Sequence, residues 1–215
     1  MKLAKYIDHT LLKADASFAQ LEKLCLEAKE YGFKSVCVNT CNIPFVKNLL
    51  KDSDVLVCTV IGFPLGQMST AAKVFETKDA TIKGADEIDM VINIGRLKDK
   101  DYEYCTNEIY AIKQACGDKT LKVIIETCLL TDEKKVKACE CVLNGKADFV
   151  KTSTGFSTGG ATFEDVKLLK DTVGDRCLIK AAGGVKTHED MLKMIELGAN
   201  RIGTSSGTKL IEKGE

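Results

Sequence analysis

Eight runs of apolar, β-branched residues recur along this 215-residue chain, and the stretches between them carry apolar residues at helical spacing. No other property narrows the fold so far. The runs are KYIDHT, KSVCVNT, DVLVCTVIG, DEIDMVINI, LKVIIET, DFVKTST, CLIKAAG and NRIGTS. The first intervening stretch, SFAQLEKLCLEAKEYG, puts Leu21, Leu24, Cys25 and Ala28 on one helical face. A shorter one, IPFVKNLLKDS, follows, and then STAAKVFETKDATIKG, YEYCTNEIYAIKQACG, TDEKKVKACECVLNG, TFEDVKLLKDTVG and THEDMLKMIELG. Ser17, Ser69, Thr131, Thr162 and Thr187 stand where an N-cap hydroxyl serves a helix start. KGADEIDMV, NGKADFVKT and LGANRIGTS share one form: a glycine that ends a helix, then Ala, then Asp or Asn, then a strand. Eight such units predict one (β/α)₈ barrel over residues 1–215. A doubly wound open sheet fits less well, because the first strand lacks a G-x-G-x-x-G turn and eight strands would make an unusually wide sheet.

Composition removes several function classes. Lys+Arg and Asp+Glu number 31 each, so the chain has no bulk positive charge with which to neutralise nucleic-acid phosphates. The longest apolar run, VLVCTVIGF, is too short to cross a membrane. The opening MKLAKYIDHTLLKAD has no apolar signal region, so a cytoplasmic protein with its ten cysteines reduced is expected. CEC and CVNTC are close pairs, but no C-x-x-C occurs and both histidines lie elsewhere; no metal or cofactor is expected.

Two strands contain an awkward residue. In DFVKTSTG, Lys151 follows Phe149 and Val150; in CLIKAAGG, Lys180 follows Leu178 and Ile179. Lysine is rarely fully buried. Strand alternation puts Phe149, Lys151 and Ser153 on one face, and Leu178, Lys180 and Ala182 on one face of the next strand. If both faces point into the barrel, each ammonium disfavours the other's charge, and burial disfavours both. Only about one free lysine in a few thousand is neutral at pH 7. Desolvation and a neighbouring cation are the recognised routes to a lysine nucleophile that forms a Schiff base. The plain alternative is that both lysines reach the rim or pair with carboxylates. DEIDMVIN adds a carboxylate: Glu87, Asp89, Val91 and Asn93 alternate with Ile88, Met90 and Ile92. Asp89 is placed either to relay protons or to balance buried charge.

Glycines and hydroxyls complete the pattern. AAGGV ends strand seven, and IGTSSG ends strand eight and enters a helix, which is where barrels commonly bind phosphate. Gly183 and Gly184 let backbone amides approach an anion, and Ser205 and Ser206 add hydroxyls and amides. A side chain at position 184 would hold the anion off. The alternative is ordinary turn glycine and capping serine.

EIDMVIN, VKTSTGF, KAAGGVKT and IGTSSG, in that order and spacing, resemble the deoxyribose-phosphate aldolases, and YIDHTLLK is similar too. The resemblance runs over nearly the whole chain. It implies a metal-free class I aldolase on a (β/α)₈ barrel, acting on 2-deoxy-D-ribose 5-phosphate in deoxyribonucleoside catabolism. It places Lys151 as the Schiff-base lysine, Lys180 as the second lysine, Asp89 in proton relay, and Gly183, Gly184, Gly203, Ser205 and Ser206 at the phosphate. Phe156 stands where some members carry a lysine, which shifts phosphate contact toward Lys186. The chain ends IEKGE, where some members have a longer tail ending in tyrosine. The competing functions are a sugar-phosphate isomerase and a non-catalytic sugar-phosphate-binding barrel. The partners expected are a small sugar phosphate and further copies of the chain, as a homodimer or a higher homo-oligomer.

Overall fold

Backbone alternation of strand and helix holds along the whole of the computed structural model, which describes residues 2–212. The order is β1 (Ile7–Leu11), α1 (Phe18–Tyr31), β2 (Ser35–Val38), α2 (Ile43–Leu49), β3 (Leu56–Ile61), α3 (Thr70–Ile82) and β4 (Glu87–Val91). It continues with α4 (Ile94–Lys98), α5 (Tyr102–Cys116), β5 (Thr120–Ile124), α6 (Asp132–Asn144), β6 (Phe149–Lys151) and α7 (Phe163–Val173). β7 (Leu178–Ala182), α8 (His188–Glu196), β8 (Arg201–Thr204) and α9 (Gly207–Leu210) complete it. Every strand pairs in parallel with the next. β8 closes onto β1 with Asp8 opposite Gly203, so the sheet is a closed barrel and not an open one.

The local signals act as chemistry requires. Ser17, Ser69, Thr131, Thr162 and Thr187 each accept a hydrogen bond from the backbone amide three residues on. Gly32 ends α1 at φ 71°, in the left-handed region. One expectation needs correction at β4. The strand ends at Val91, and Asn93 caps the short α4 by accepting from the Arg96 amide at 3.1 Å, so it does not share a strand face with Asp89.

The outward strand faces and the helices form one apolar layer. Val36, Val57, Ile88, Val123, Val150, Ile179 and Ile202 pack against Leu21, Val46, Ile112, Val142, Leu169 and Met191. Burying each such side chain is worth about 1.5–3 kcal/mol, so this layer carries most of the folding free energy. Among the described residues no helix is long and apolar enough to cross a membrane.

Candidate active site

The inward faces break the usual rule. Barrel interiors are commonly filled by Val, Ile and Leu. Here Asp8 from β1, Glu87 and Asp89 from β4, Lys122 from β5, Lys151 from β6, Lys180 from β7 and Arg201 from β8 are all buried. They form two tiers. In the lower tier Arg201 donates to Asp8 and to both oxygens of Glu87, at 3.0 and 2.7 Å, and Ser35 donates to Asp8 at 2.7 Å. Lys122 joins the tiers, donating to Glu87 Oε2 at 2.7 Å and to Asp89 Oδ1 at 2.9 Å. The upper tier converges on Asp89. Its Oδ2 accepts from Lys151 at 2.7 Å and from Lys180 at 2.8 Å, and the Cys58 thiol lies 3.2 Å from Oδ1. Lys180 also lies 2.6 Å from Asp8 Oδ2.

This geometry fixes the charge states. Burial alone would raise the Asp89 carboxyl, but Lys122, Lys151 and Lys180 together hold it well below the usual carboxylate range. Asp8 is held low in the same way, burial being outweighed by Lys180 and Arg201. For Lys180, burial favours the neutral amine, yet Asp8 and Asp89 raise it well above the usual lysine range. The expectation that burial and a neighbouring cation would discharge both strand lysines is therefore corrected for Lys180, which stays an ammonium ion. Lys122 and Arg201 are raised likewise, burial being overcome in the first by Asp89 and in the second by Asp8 and Glu87. Three carboxylates thus face four cations. Lys122, Lys180 and Arg201 each touch two carboxylates, whereas Lys151 has a share of Asp89 alone.

Lys151 lies at the base of a cavity of about 630 Å³ at the C-terminal ends of the strands. That volume suits a small phosphorylated sugar. Gly183, Gly184, Gly203, Ser205, Ser206 and Lys186 all line it, so every residue expected at the phosphate faces the same space as Lys151. Phe156 forms part of the wall, edge-on to Phe63 with ring centroids 5.2 Å apart. The loop bearing Lys151 is tied down from both sides. Thr152 Oγ1 accepts from the Ala182 amide at 3.1 Å, and buried Glu126 accepts from the Thr154 amide and hydroxyl at 3.2 and 2.5 Å.

Three parts of the phosphate expectation change. The helix after IGTSSG, α9, is a single turn of four residues, too short to focus a dipole on an anion. Just ahead of α8 the Lys186 and Thr187 amides both donate to Asp190 at 3.1 Å, so neither is free for an anion. The Ser206 amide donates to Thr204 Oγ1 at 3.0 Å, which leaves Ser206 its hydroxyl. The glycines also have other duties. Gly184 sits at φ +81°, where an added Cβ would lie 2.9 Å from the Ala161 carbonyl oxygen, so its backbone forbids a side chain whether or not an anion is present. At Gly203 an added Cβ would lie 3.1 Å from Lys180 Cε, so this glycine makes room for the second lysine.

Sequence spacing gave no metal site, yet the fold brings Cys37, Cys58 and Asp89 together, with one ligand atom of each within 4.8 Å of the others. Both Asp89 oxygens already take ammonium donors, and a divalent cation there would face Lys122, Lys151 and Lys180 at close range. All ten cysteines are free thiols, eight of them buried. A second cavity, of about 560 Å³ at the opposite end of the strands, is lined by Asp148, Asp175 and Arg176. Its carboxylates are neutralised by Lys113 at 2.6 Å and by Lys170 at 2.8 Å.

Asp8, Lys122 and Arg201 were not singled out from the sequence. The signal was the same one that exposed Lys151: a charged residue inside an apolar strand run, in YIDHT, LKVII and NRIGT.

A closed parallel barrel with a buried lysine hydrogen-bonded to an ionised carboxylate, beneath a sugar-sized cavity, fits the class of Schiff-base aldolases. Sequence comparison agrees. The profile of the DeoC/LacD family aldolases matches residues 2–211. The chain is 63% identical to the deoxyribose-phosphate aldolase of Finegoldia magna, over 99% of this chain and 100% of that one. It is 60% identical to that of Macrococcus caseolyticus, over 100% of this chain and 97% of the relative. A solved structure, the tetrameric deoxyribose phosphate aldolase of Aeropyrum pernix, superposes with a TM-score of 0.89 at 31% identity, over 97% of this chain and 88% of that one. The chain belongs to the DeoC/LacD family of aldolases.

Proposed function

We propose that this aldolase reversibly cleaves 2-deoxy-D-ribose 5-phosphate to D-glyceraldehyde 3-phosphate and acetaldehyde, through a Schiff base on Lys151. The observation that carries the reading is the placement of Lys151 Nζ, 2.7 Å from Asp89 Oδ2, with ammonium Lys180 on the same oxygen and the cavity directly above. The family and the relatives' names supply the substrate class; the ion network supplies the roles.

In the synthetic direction the neutral Lys151 amine attacks the acetaldehyde carbonyl and gives a carbinolamine. Asp89 is ionised, so it acts as base, and Lys180 is charged, so it acts as acid. Between them, through water, they supply the proton that turns the carbinolamine hydroxyl into leaving water. The iminium so formed is the electron sink. Removal of a proton from its methyl carbon gives an enamine, whose carbon attacks the aldehyde of glyceraldehyde 3-phosphate. The new alkoxide takes a proton, and water hydrolyses the iminium, releasing the sugar and the free Lys151 amine. An isomerase on the same scaffold would need no covalent lysine, and a binding protein would show no turnover.

Borohydride reduction in the presence of acetaldehyde tests the reading. The expected product carries one ethyl group on Lys151, and Lys151→Arg, which keeps the charge but not the nucleophile, carries none. An ethyl group at wild-type yield on another lysine refutes the assignment, and no adduct at all returns the isomerase and the binding protein. We further read the chain as a cytoplasmic homo-oligomer. The tetrameric Aeropyrum pernix relative supports the assembly, native mass measurement tests it, and fractionation tests the location.

A further inference from the structure

Four ionisable side chains line the cavity above Lys151, and all four are lysines: Lys13, Lys151, Lys186 and Lys209. The chain as a whole holds equal numbers of basic and acidic residues, 31 each, so four basic ones by chance is about a one-in-sixteen event. Lys151 belongs to the chemistry. The other three arise after β1, β7 and β8, which are consecutive around the barrel because β7 pairs with β8 and β8 with β1. Their side chains are exposed, and none of them forms an ion pair among the described residues. They contrast with Lys113, Lys135 and Lys170 on the outer helices, each of which has a carboxylate partner.

The backbone gives a second reason to look at side chains. The amides of Lys186 and Thr187 are committed to Asp190, that of Ser206 is committed to Thr204, and α9 is one turn long. A phosphate dianion held here cannot use those three amides and takes its countercharge from ammonium groups. Lys186 stands at one end of the arc. We propose that Lys13 and Lys209 are specificity-determining residues that, with Lys186, hold the phosphate end of the substrate. This rests on the reading of the substrate as a sugar phosphate. The arc also sets the direction of the bound molecule: its carbonyl end lies over β6, where Lys151 is, and its phosphate end over β8, between the lysines that follow β7 and β1.

Lys13→Gln, Lys209→Gln and the double variant test this. The residues are exposed, so the fold tolerates the changes. An exposed charge contact is worth roughly a fivefold change in affinity, and two independent ones roughly twentyfold. The expected result for the double variant is a KM for deoxyribose 5-phosphate raised about twentyfold, and an inhibition constant for inorganic phosphate raised by a similar factor. Its kcat/KM for unphosphorylated deoxyribose stays at the wild-type value. The wild-type KM for the phosphorylated sugar climbs with salt, and that dependence flattens in the double variant. Lys13→Arg and Lys209→Arg retain the wild-type KM. A double variant that keeps the wild-type KM and phosphate inhibition overturns the proposal, as does an equal loss toward both sugars. A wild type that handles the two sugars equally overturns the sugar-phosphate reading beneath it, so the two failures are distinguishable.

Discussion

Replacing Asp89 by asparagine separates the two things this carboxylate does. The substitution keeps size and polarity but removes the one negative charge on which Lys122, Lys151 and Lys180 converge, at 2.9, 2.7 and 2.8 Å. Lys122 keeps Glu87 and Lys180 keeps Asp8, so neither is stranded. Lys151 loses its only carboxylate. Breaking a buried pair costs about 3–5 kcal/mol, and with two of the three cations still partnered the low end applies, about 3 kcal/mol. At about 2–4 °C per kcal/mol for a domain of this length, the midpoint of thermal unfolding should fall by roughly 6–12 °C. Turnover should fall by about 10²–10⁴-fold, the usual yield of a positioned acid–base group. Schiff-base formation should slow but still reach completion in an end-point trap, because the Lys151 amine remains and Lys180 remains to protonate the departing carbinolamine hydroxyl. The assay is therefore a pair: ethyl-adduct yield after borohydride reduction, and kcat for cleavage, on the same preparation. Adduct retained with turnover lost is the expected outcome. Wild-type turnover would remove Asp89 from the chemistry. Parallel loss of adduct and turnover would mean that it serves only to aim the amine.

Three further outcomes follow from the same geometry. Lys180→Met removes the ammonium acid that sits on Asp89 Oδ2, so kcat should fall by about 10²–10⁴-fold, and an unchanged kcat would make Lys180 purely structural. Gly184→Val should lower stability by about 1–2 kcal/mol, because φ +81° and the Ala161 carbonyl oxygen both oppose a side chain, and it should depress activity on both sugars alike; a selective effect on the phosphorylated sugar would restore the anion-access explanation. Burial pushes the thiols of Cys25 and Cys177 up to about 11 and those of Cys105, Cys116 and Cys139 up to about 12, so at pH 8 iodoacetamide should label exposed Cys41 and Cys128 first, which peptide mass mapping of the native protein checks.

The barrel was legible because each of its parts is local. Strand runs, apolar stripes and five hydroxyl N-caps are all decided within a few residues of sequence. The short helix α4 escaped because a turn of five residues has too little periodicity to stand out, and because Asn93 reads equally as strand face or cap; the helix after IGTSSG was expected, but not its length of four residues. Lys151, Lys180 and Asp89 could be read as candidates because an ionisable residue in an apolar run is anomalous on its own. Their charge states could not. Those depend on Asp8 and Arg201, which are 193 residues apart, and on Glu87, 114 residues from Arg201, all brought into contact only when β8 closes onto β1. A pair of lysines on neighbouring strands suggests mutual repulsion; a closed barrel with three carboxylates in it reverses the sign for one of them.

The ionic interior is hard to explain by stability. Buried ion pairs of this kind are commonly matched or bettered by well-packed apolar side chains. What they accomplish here is to hold Asp89 ionised and Lys180 charged beside Lys151. Asp8 and Asp89 are held below the usual carboxylate range, so their pairs are fully formed above about pH 4 and are lost only as pH falls through the depressed folded values. Lys122 and Lys180 are held above the usual lysine range, so their contribution is full below about pH 10 and is lost only as pH rises through the elevated folded values. Across the neutral range the six groups Asp8, Glu87, Asp89, Lys122, Lys180 and Arg201 form a closed set, three of each sign. Lys151 stands outside that set, at the one point where the network meets the cavity. Its amine donates to the same Asp89 oxygen that Lys180 already holds. The lower tier never touches substrate in this arrangement, yet it is what keeps Asp89 a base and Lys180 an acid through each turnover.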